Sequence, residues 1–210
     1  MIRALIFDYN QVLVNDSEAH VEAYERALKK FGVKMEKEEL RKIMPLGHGG
    51  KAKYIAEKFG LFGKEEEIFS EKRKEFEKIA KEKDLMFPGA REAIKKLSER
   101  FLLGIFTSTP KSQVFLPKKT MKLFKALVSH EGITKPKPDP EGIIKCAKLL
   151  RVTLEKSAYV GDATQDMQAA KAAGCKAIGI TTGIFNAEQL KKAGADIIIA
   201  EIKELQKEKL

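Results

Sequence analysis

The chain has 210 residues, of which 43% are hydrophobic and 33% are charged, and its formal net charge is +10. This length supports one α/β domain, or a core domain that carries a smaller inserted one. The ordinary composition excludes a disordered chain, and the absence of a fixed-period repeat excludes a solenoid. No run approaches the roughly 18 apolar residues of a membrane helix. Since strand-like sequence begins near the first residue, we also expect no signal peptide.

The positive charge raises the question of nucleic-acid binding, because basic surfaces bind phosphate backbones. Its lysines, however, alternate with glutamates along helical segments such as "FSEKRKEFEKIAKEKD" (69–84), which is typical of solvated helix faces with i,i+4 pairs. We therefore disfavour nucleic acid as a partner. The 33 Lys, 23 Glu, 3 Asn and 6 Gln resemble the composition of heat-resistant proteins. Cys146 and Cys175 lack CxxC spacing, which predicts buried free thiols and a cytoplasmic location.

Six short apolar runs recur along the chain, and most are followed by a turn signal and a helical period. Strands are predicted at 4–8, 101–107, 126–130, 158–162, 177–181 and 196–200. Helices are predicted at 89–100, 111–119, 139–150, 164–173, 186–193 and 201–208. Continuous rather than alternating hydrophobicity, with helices between the runs, indicates a parallel sheet that is covered on both faces. The predicted fold class is a doubly wound α/β sheet.

One long interval interrupts this alternation. Residues 16–84 contain no strand-like run but show helical periodicity, with stop signals at Gly32, Pro45 and Gly60. We therefore predict an α/β core domain of residues 1–15 and 85–210, with a helical domain of residues 16–84 inserted after the first strand. Inserts at this point lie over the crevice where α/β proteins bind ligands.

Polar residues stand just beyond four of the predicted strands. They are Asp8 after the first, Thr107 after the second, Lys135 after the third, and Asp162 with Asp166 after the fourth. Each alone has an ordinary explanation as a cap, a turn residue or a solvated lysine. Together they predict a site, because the carboxyl ends of parallel strands share one edge of the sheet.

These residues lie in four ordered motifs, "DYNQV", "GIFTSTP", "KPKPDP" and "GDATQDMQAAKAAG". In that order the motifs resemble those of the haloacid dehalogenase-like superfamily, whose first motif is usually DxDG[TV], in its phosphoglycolate phosphatase and β-phosphoglucomutase branch. The resemblance covers the whole chain. It implies a Rossmann-like core, a helical cap between the first two motifs, and phosphohydrolase activity.

The resemblance also implies roles for individual residues. Asp8 is expected to attack phosphorus and form an aspartyl-phosphate, while Mg²⁺ is held by Asp8, Asp162 and the backbone carbonyl of Asn10. Asp166 is expected to act through water or as an anchor for its neighbours.

Three further residues are expected to bind the phosphoryl oxygens. Thr107 would donate its hydroxyl, Ser108 its backbone N–H, and Lys135 its positive charge. The neighbouring Lys137 is predicted to be a solvated loop residue.

Asn10 departs from the family pattern, which has an acid/base Asp at this position. An amide neither protonates a leaving group nor activates water at neutral pH, and general acid–base catalysis is worth about 10²–10⁴ in rate. Three interpretations stay open: a slow phosphohydrolase, in which His48 could supply the proton; a phosphate-binding or regulatory protein without turnover; and an engineered substitution. A dehalogenase also lacks the second carboxylate, but the pair Asp162 and Asp166 argues against it.

The segment "GHGGK" in the inserted domain contains His48 and Lys51, which suit an anionic substrate. It is equally typical of an ordinary turn with surface side chains. The sequence thus predicts a Mg²⁺-dependent phosphohydrolase of a small phosphorylated metabolite, without fixing the metabolite or the oligomeric state.

Overall fold

The structure is a computed structural model that describes residues 1–44, 46, 48–208 and 210, except the side chains of residues 48 and 49. The chain forms two compact units. The core unit comprises Met1–Asn15 and Leu85–Leu210, and the helical unit comprises Asp16–Asp84. Among the helices of the described residues, none has the length and apolar character needed to cross a bilayer.

A six-stranded parallel sheet forms the centre of the core unit. Its strands are β1 (Ala4–Phe7), β2 (Leu102–Phe106), β3 (Phe124–Val128), β4 (Ser157–Gly161), β5 (Lys176–Ile180) and β6 (Ile197–Ile199). Their order in the sheet is β3-β2-β1-β4-β5-β6, so β1 pairs with both β2 and β4. The order reverses direction between β1 and β4, which confirms the prediction of a doubly wound α/β fold.

Helices cover both faces of this sheet. They are α5 (Ala90–Ser98), α6 (Lys118–Met121), α7 (Glu141–Leu150), α8 (Thr164–Ala173) and α9 (Ala187–Lys192). On one face Leu5 and Phe7 pack in a cluster with Leu97 of α5. On the other face Ala4 and Ile6 join a cluster with α7 and α8. Successive residues of β1 are buried on opposite faces, which explains its continuous hydrophobicity.

Both cysteines are buried and free, as predicted. Cys146 lies on the inner face of α7, and a Cβ at Gly104 of β2 would lie 2.6 Å from its sulfur. Burial raises the pKa of each thiol to about 12. The thiols therefore pack as small apolar groups and stay protonated at neutral pH.

Two predicted core helices are wrong in extent. The segment predicted as a helix at 111–119 contains a 3₁₀ turn, Lys111–Gln113, and the four-residue helix α6. Pro117 interrupts it, because proline has no N–H to donate and restricts the residue before it. The helix predicted at 201–208 is a 3₁₀ segment, Ile202–Gln206, which packs Ile202 and Leu205 against the sheet.

The helical unit contains α1 (Ser17–Lys29), α2 (Lys37–Ile43), α3 (His48–Phe59) and α4 (Glu65–Glu82). Its apolar core includes Val21, Tyr24, Leu28, Leu40, Ile55 and Ile68. The outer face of α4 carries an i,i+4 pair of the predicted kind, Lys81 with Glu77 at 2.7 Å, and Glu71 bonds Lys30 and Lys74, each at 2.5 Å. Exposed pairs of this kind are worth at most about 1 kcal/mol each, so the apolar core holds the unit together.

A polar chain inside the helical unit links two buried charged residues, Asp16 and Lys72, through the half-buried His20. Lys72 Nζ stands 2.8 Å from His20 Nδ1, and His20 Nε2 stands 3.1 Å from an oxygen of Asp16. The His20 ring stacks on Phe76, with 4.1 Å between the ring centroids. Burial lowers the pKa of Lys72 to about 8 and also lowers the pKa of His20. A neutral imidazole fits this arrangement, accepting at Nδ1 and donating from Nε2 to Asp16.

Candidate active site

The direction of the sheet changes between β1 and β4, and crevices at such points are the usual ligand sites of open α/β sheets. Asp8 is the first residue after β1, and Asp162 is the first after β4. The Asp8 N–H donates to the carbonyl of Val160 at 2.8 Å, so the sheet pairing continues to Asp8. The fold thus places two carboxylates side by side at the carboxyl edge.

Asp166 of α8 joins these two residues in a group of three carboxylates. Each residue offers an oxygen, and the three oxygens lie within 4.8 Å of one another. Oxygen ligands from one or two carboxylates, completed by water and phosphate, are what Mg²⁺ prefers. The residues present therefore fit a divalent cation.

The electrostatics of the group support the same conclusion. Burial raises the pKa of Asp162 to about 8, and the charges of Asp8 and Asp166 add to this effect. Burial also raises the pKa of Asp8 to about 6, although Lys137 opposes the shift. Carboxylates in such close proximity disfavour full ionisation unless a cation offsets their charge.

Lys137 is the lysine that the structure places in the site. Its ammonium stands 3.0 Å from Asp8 Oδ1 and 2.8 Å from Asp166 Oδ1, and its side chain is 8% exposed. It also lies over the ring of Phe106, 5.0 Å from the centroid. Burial opposes its charge, but Asp166 and Asp8 outweigh burial and raise the pKa of the ammonium.

The prediction that Lys135 fills this position is therefore wrong, as is the prediction that Lys137 is solvated. The Lys135 side chain is 73% exposed, and its nearest acidic partner is Asp139 at 3.9 Å. Glu141, the first residue of α7, accepts the Lys135 backbone N–H at 2.8 Å and so ties this part of the loop to the helix. The inward lysine comes two residues later, a choice that "KPKPDP" alone does not reveal.

Thr107 lies directly after β2, and its side chain is fully buried. Its backbone N–H donates to the Val128 carbonyl at 3.0 Å, and its hydroxyl oxygen accepts the Thr109 N–H at 3.0 Å. The hydroxyl hydrogen is thereby left for another acceptor. The neighbouring Ser108 is exposed.

Asn10 lies on the turn after β1, where its side-chain oxygen accepts the hydroxyl of Thr109. Gln11 follows with a φ of 56°, in the left-handed region that favours glycine, and its carbonyl accepts the Thr182 hydroxyl. The sequence analysis does not assign Thr109 to the site, although Thr109 belongs to the polar run "TST" that directly follows β2.

Asp166 is buried and engaged through both oxygens. One oxygen accepts Lys137, and the other accepts the Ala163 N–H at the start of α8 at 3.0 Å. The Tyr159 hydroxyl lies 3.4 Å from the first oxygen. These contacts are those of a residue that anchors Lys137 and the start of α8, one of the two roles expected for it.

The remaining predicted residues belong to the helical unit. The Lys51 ammonium donates to the carbonyls of Met44, at 3.0 Å, and Leu46, near the end of α2. Burial lowers the pKa of Lys51. His48 begins α3, but its side chain lies outside the described part of the structure, so its predicted role stays a prediction.

Gly161 permits the close approach of α8 to β4. A Cβ there would lie 2.3 Å from the Cβ of Asp166. We expect Gly161→Ala to displace Asp166, to destabilise the fold by about 1–3 kcal/mol, and to lower the rate of phosphate release. Gly132→Ala is the control, because its Cβ would meet only Val128 Cγ1 at 3.3 Å. Equal thermal midpoints for the two variants would contradict the prediction.

Asp162 should destabilise the metal-free protein at high pH. Its pKa is raised from 3.8 to about 8, so stabilisation by protonation is complete below pH 3.8 and is lost as the pH rises through 8. In EDTA at pH 8, we expect Asp162→Asn to raise the melting temperature by about 5 °C. Mg²⁺ should stabilise the unmodified protein but not this variant.

The control for that measurement is Asp196→Asn. Burial opposes ionisation at Asp196, but the Ala177 N–H and Lys171 outweigh it and lower its pKa. The corresponding stabilisation is present above the ordinary pKa, so this variant should melt lower at pH 8. If both substitutions shift the melting temperature in the same direction, charge repulsion at the site is not the cause.

Residues 5–180 match the sequence profile of the haloacid dehalogenase-like hydrolases. The chain belongs to this family. A phosphorylated carbohydrates phosphatase from Thermotoga maritima is 29% identical over 207 residues, which cover 94% of each chain. A phosphoglycolate phosphatase from Shigella boydii is 28% identical over 62% of this chain, which spans about half of that relative, 53%.

A solved structure supports the same branch of the haloacid dehalogenase-like family. The crystal structure of a putative beta-phosphoglucomutase from Thermotoga maritima is 27% identical, covers 100% of both chains and superposes with a TM-score of 0.85. The predicted family and branch are confirmed, and the relatives named as phosphatases agree with the prediction of a phosphoric monoester hydrolase.

Proposed function

We propose that the protein is a Mg²⁺-dependent phosphatase that acts on a small phosphorylated metabolite, with Asp8 as the nucleophile. The observation that carries this proposal is the group of Asp8, Asp162 and Asp166 within 4.8 Å, with Lys137 bonded to two of its members. Three carboxylates and one ammonium leave two negative charges, which a divalent cation would offset.

The cation would be held by Asp8, Asp162 and the backbone carbonyl of Asn10, with Asp166 as an anchor. When bound, Mg²⁺ supplies charge stabilisation to the phosphoryl oxygens and orients the phosphate. The cation would offset the negative charge of Asp162, whose ionised form is disfavoured by burial and by the charges of Asp8 and Asp166.

The residues of the chain supply the remaining functions. Asp8 Oδ attacks phosphorus, and the bond between phosphorus and the leaving oxygen breaks in line with this attack. Lys137 keeps Asp8 ionised and oriented through its 3.0 Å contact. Thr107, whose hydroxyl hydrogen is not used by Thr109, donates to a phosphoryl oxygen, while Ser108 offers its backbone N–H. Water then releases phosphate from Asp8.

The names of the relatives suggest the substrates to test first. They act on phosphorylated carbohydrates and phosphoglycolate, so we assign a small anionic metabolite of that size to this site. The roles predicted for Lys51 and His48 of the helical unit in binding an anionic substrate stay predictions.

The experiment is a panel of sugar phosphates, phosphoglycolate and p-nitrophenyl phosphate, assayed with Mg²⁺ and after removal of divalent cations by EDTA. We expect phosphate release that EDTA abolishes and Mg²⁺ restores. Turnover that is equal in EDTA would overturn the metal assignment. Binding of inorganic phosphate or its analogues without any turnover would instead favour the phosphate-binding or regulatory protein.

A further inference from the structure

Among the described residues of the core unit, the polar side chains around Asp8 include anchors and anion-binding groups, but none that would donate a proton to a leaving group. Asp8 and Asp162 are assigned to the cation, and Asp166 is engaged through both oxygens. The Lys137 ammonium is shared by two carboxylates. Thr107 and Ser108 do not ionise near neutral pH. Within the described core unit, the remaining group beside the nucleophile is Asn10.

Asn10 cannot take over this function. It stands two residues after Asp8, and its side-chain oxygen is held by the hydroxyl of Thr109. An amide in this position donates hydrogen bonds, but it neither releases nor accepts a proton at neutral pH. A leaving oxygen that needs a proton must therefore depart without help from this side chain.

We propose, on the basis of the proposed function, that this site takes acyl phosphates in preference to alkyl phosphate esters. An alkoxide leaves poorly unless it is protonated as the bond breaks, whereas a carboxylate leaves as a stable anion. The missing proton donor therefore costs alkyl esters the factor of about 10²–10⁴ that general acid catalysis provides. The same missing donor lowers the rate for an acyl phosphate only slightly, because its carboxylate leaving group needs no proton.

The bonds made and broken are balanced in both steps. Asp8 Oδ forms a bond to phosphorus, the bond from phosphorus to the acyl oxygen breaks, and its electron pair leaves on the substrate carboxylate. The bond formed at Asp8 is itself an acyl phosphate bond, so the bond that forms and the bond that breaks are of the same chemical type. Water then attacks phosphorus, the bond to Asp8 breaks with its electron pair returning to Asp8, and both protons of the water end on the released inorganic phosphate.

The second step has no base at Asn10 to activate the water. Hydrolysis of phosphorylated Asp8 is therefore slow relative to its formation from an acyl phosphate. Rapid mixing with acetyl phosphate should show a burst of acetate, one equivalent per active site, before a slower steady rate. This measurement uses the unmodified protein and does not depend on any variant folding correctly.

The decisive comparison uses acetyl phosphate and ethyl phosphate, which have the same carbon count and differ at the leaving oxygen. We expect Asn10→Asp to raise kcat/KM for ethyl phosphate about 10²-fold or more and for acetyl phosphate by less than about tenfold. Asn15→Asp makes the same chemical change at an exposed position of the core unit, and it should leave the ratio of the two substrates unchanged.

The results that would contradict the preference for acyl phosphates differ from those that would contradict the proposed function. An equal gain on both substrates in Asn10→Asp, no gain on ethyl phosphate, or no acetate burst would overturn the preference for acyl phosphates. Turnover of neither substrate above the level of Asp8→Asn would instead remove the proposed function itself. A series of aryl phosphates with phenols of graded acidity adds a test on the unmodified protein. The quantity to compare is kcat/KM, which reports the step in which the phenol leaves, and a kcat/KM independent of phenol acidity would show that another proton donor acts and would overturn the proposal.

Discussion

Asp8→Asn should reduce phosphatase turnover by about 10⁴-fold or more, because it removes the nucleophile itself. The amide is nearly isosteric with the carboxylate and can still accept the hydrogen bond from Lys137, which also keeps Asp166 as a partner. The measurement is phosphate release from p-nitrophenyl phosphate or acetyl phosphate with Mg²⁺, compared at equal protein concentration.

This variant should remain folded. The pKa of Asp8 is raised to about 6, mainly by burial, so its ionised form is less favourable in the folded chain than in the unfolded one. Replacing it should leave the melting temperature in EDTA at neutral pH equal or higher. A variant that melts normally and retains more than a tenth of the activity would contradict the assignment of Asp8 as the nucleophile.

Lys137→Met should have the second largest effect, on both activity and stability. Removal of the ammonium leaves Asp8 and Asp166 buried without their shared partner, and breaking a buried pair in this way costs about 3–5 kcal/mol. We expect activity to fall by about 10²–10³-fold, because positive charge at the phosphoryl group is lost as well. The free energy of unfolding and kcat/KM measure the two effects separately.

Lys135→Met is the matched control, since it removes the same charge two residues away. The Lys135 side chain is 73% exposed and 3.9 Å from Asp139, and exposed pairs contribute at most about 1 kcal/mol. Its activity should stay within about twofold of the unmodified protein. The reverse result, with Lys135→Met inactive and Lys137→Met active, would restore the original prediction and reject the present geometry.

The elements that depend on local sequence were predicted well. The continuous apolar runs that became β1 and β4 are buried on both faces, and this pattern has few alternatives to a covered parallel sheet. Family membership was also predictable, because four motifs in order are hard to obtain by chance. The strand-end positions of Asp8 and Asp162 predict that they share one edge of the sheet, where the structure places both.

Other features depended on contacts between distant segments. Lys135 and Lys137 occupy equivalent places in "KPKPDP", and only the carboxylates of Asp8 and Asp166, far away in sequence, select Lys137. Thr109 could not be assigned to Asn10 from local pattern, since the two belong to different strand ends. The segment after β2 looked helical by periodicity, yet Pro117 limits it to a 3₁₀ turn and α6.

The sequence by itself determined the fold class, the family and which residue types meet at the carboxyl edge, because hydrophobic pattern and strand-end position are local properties. Tertiary structure decided which lysine faces the nucleophile and what holds Asn10 in place, because a buried charge is placed by the partners that compensate for it. Those partners become neighbours only when the sheet has formed.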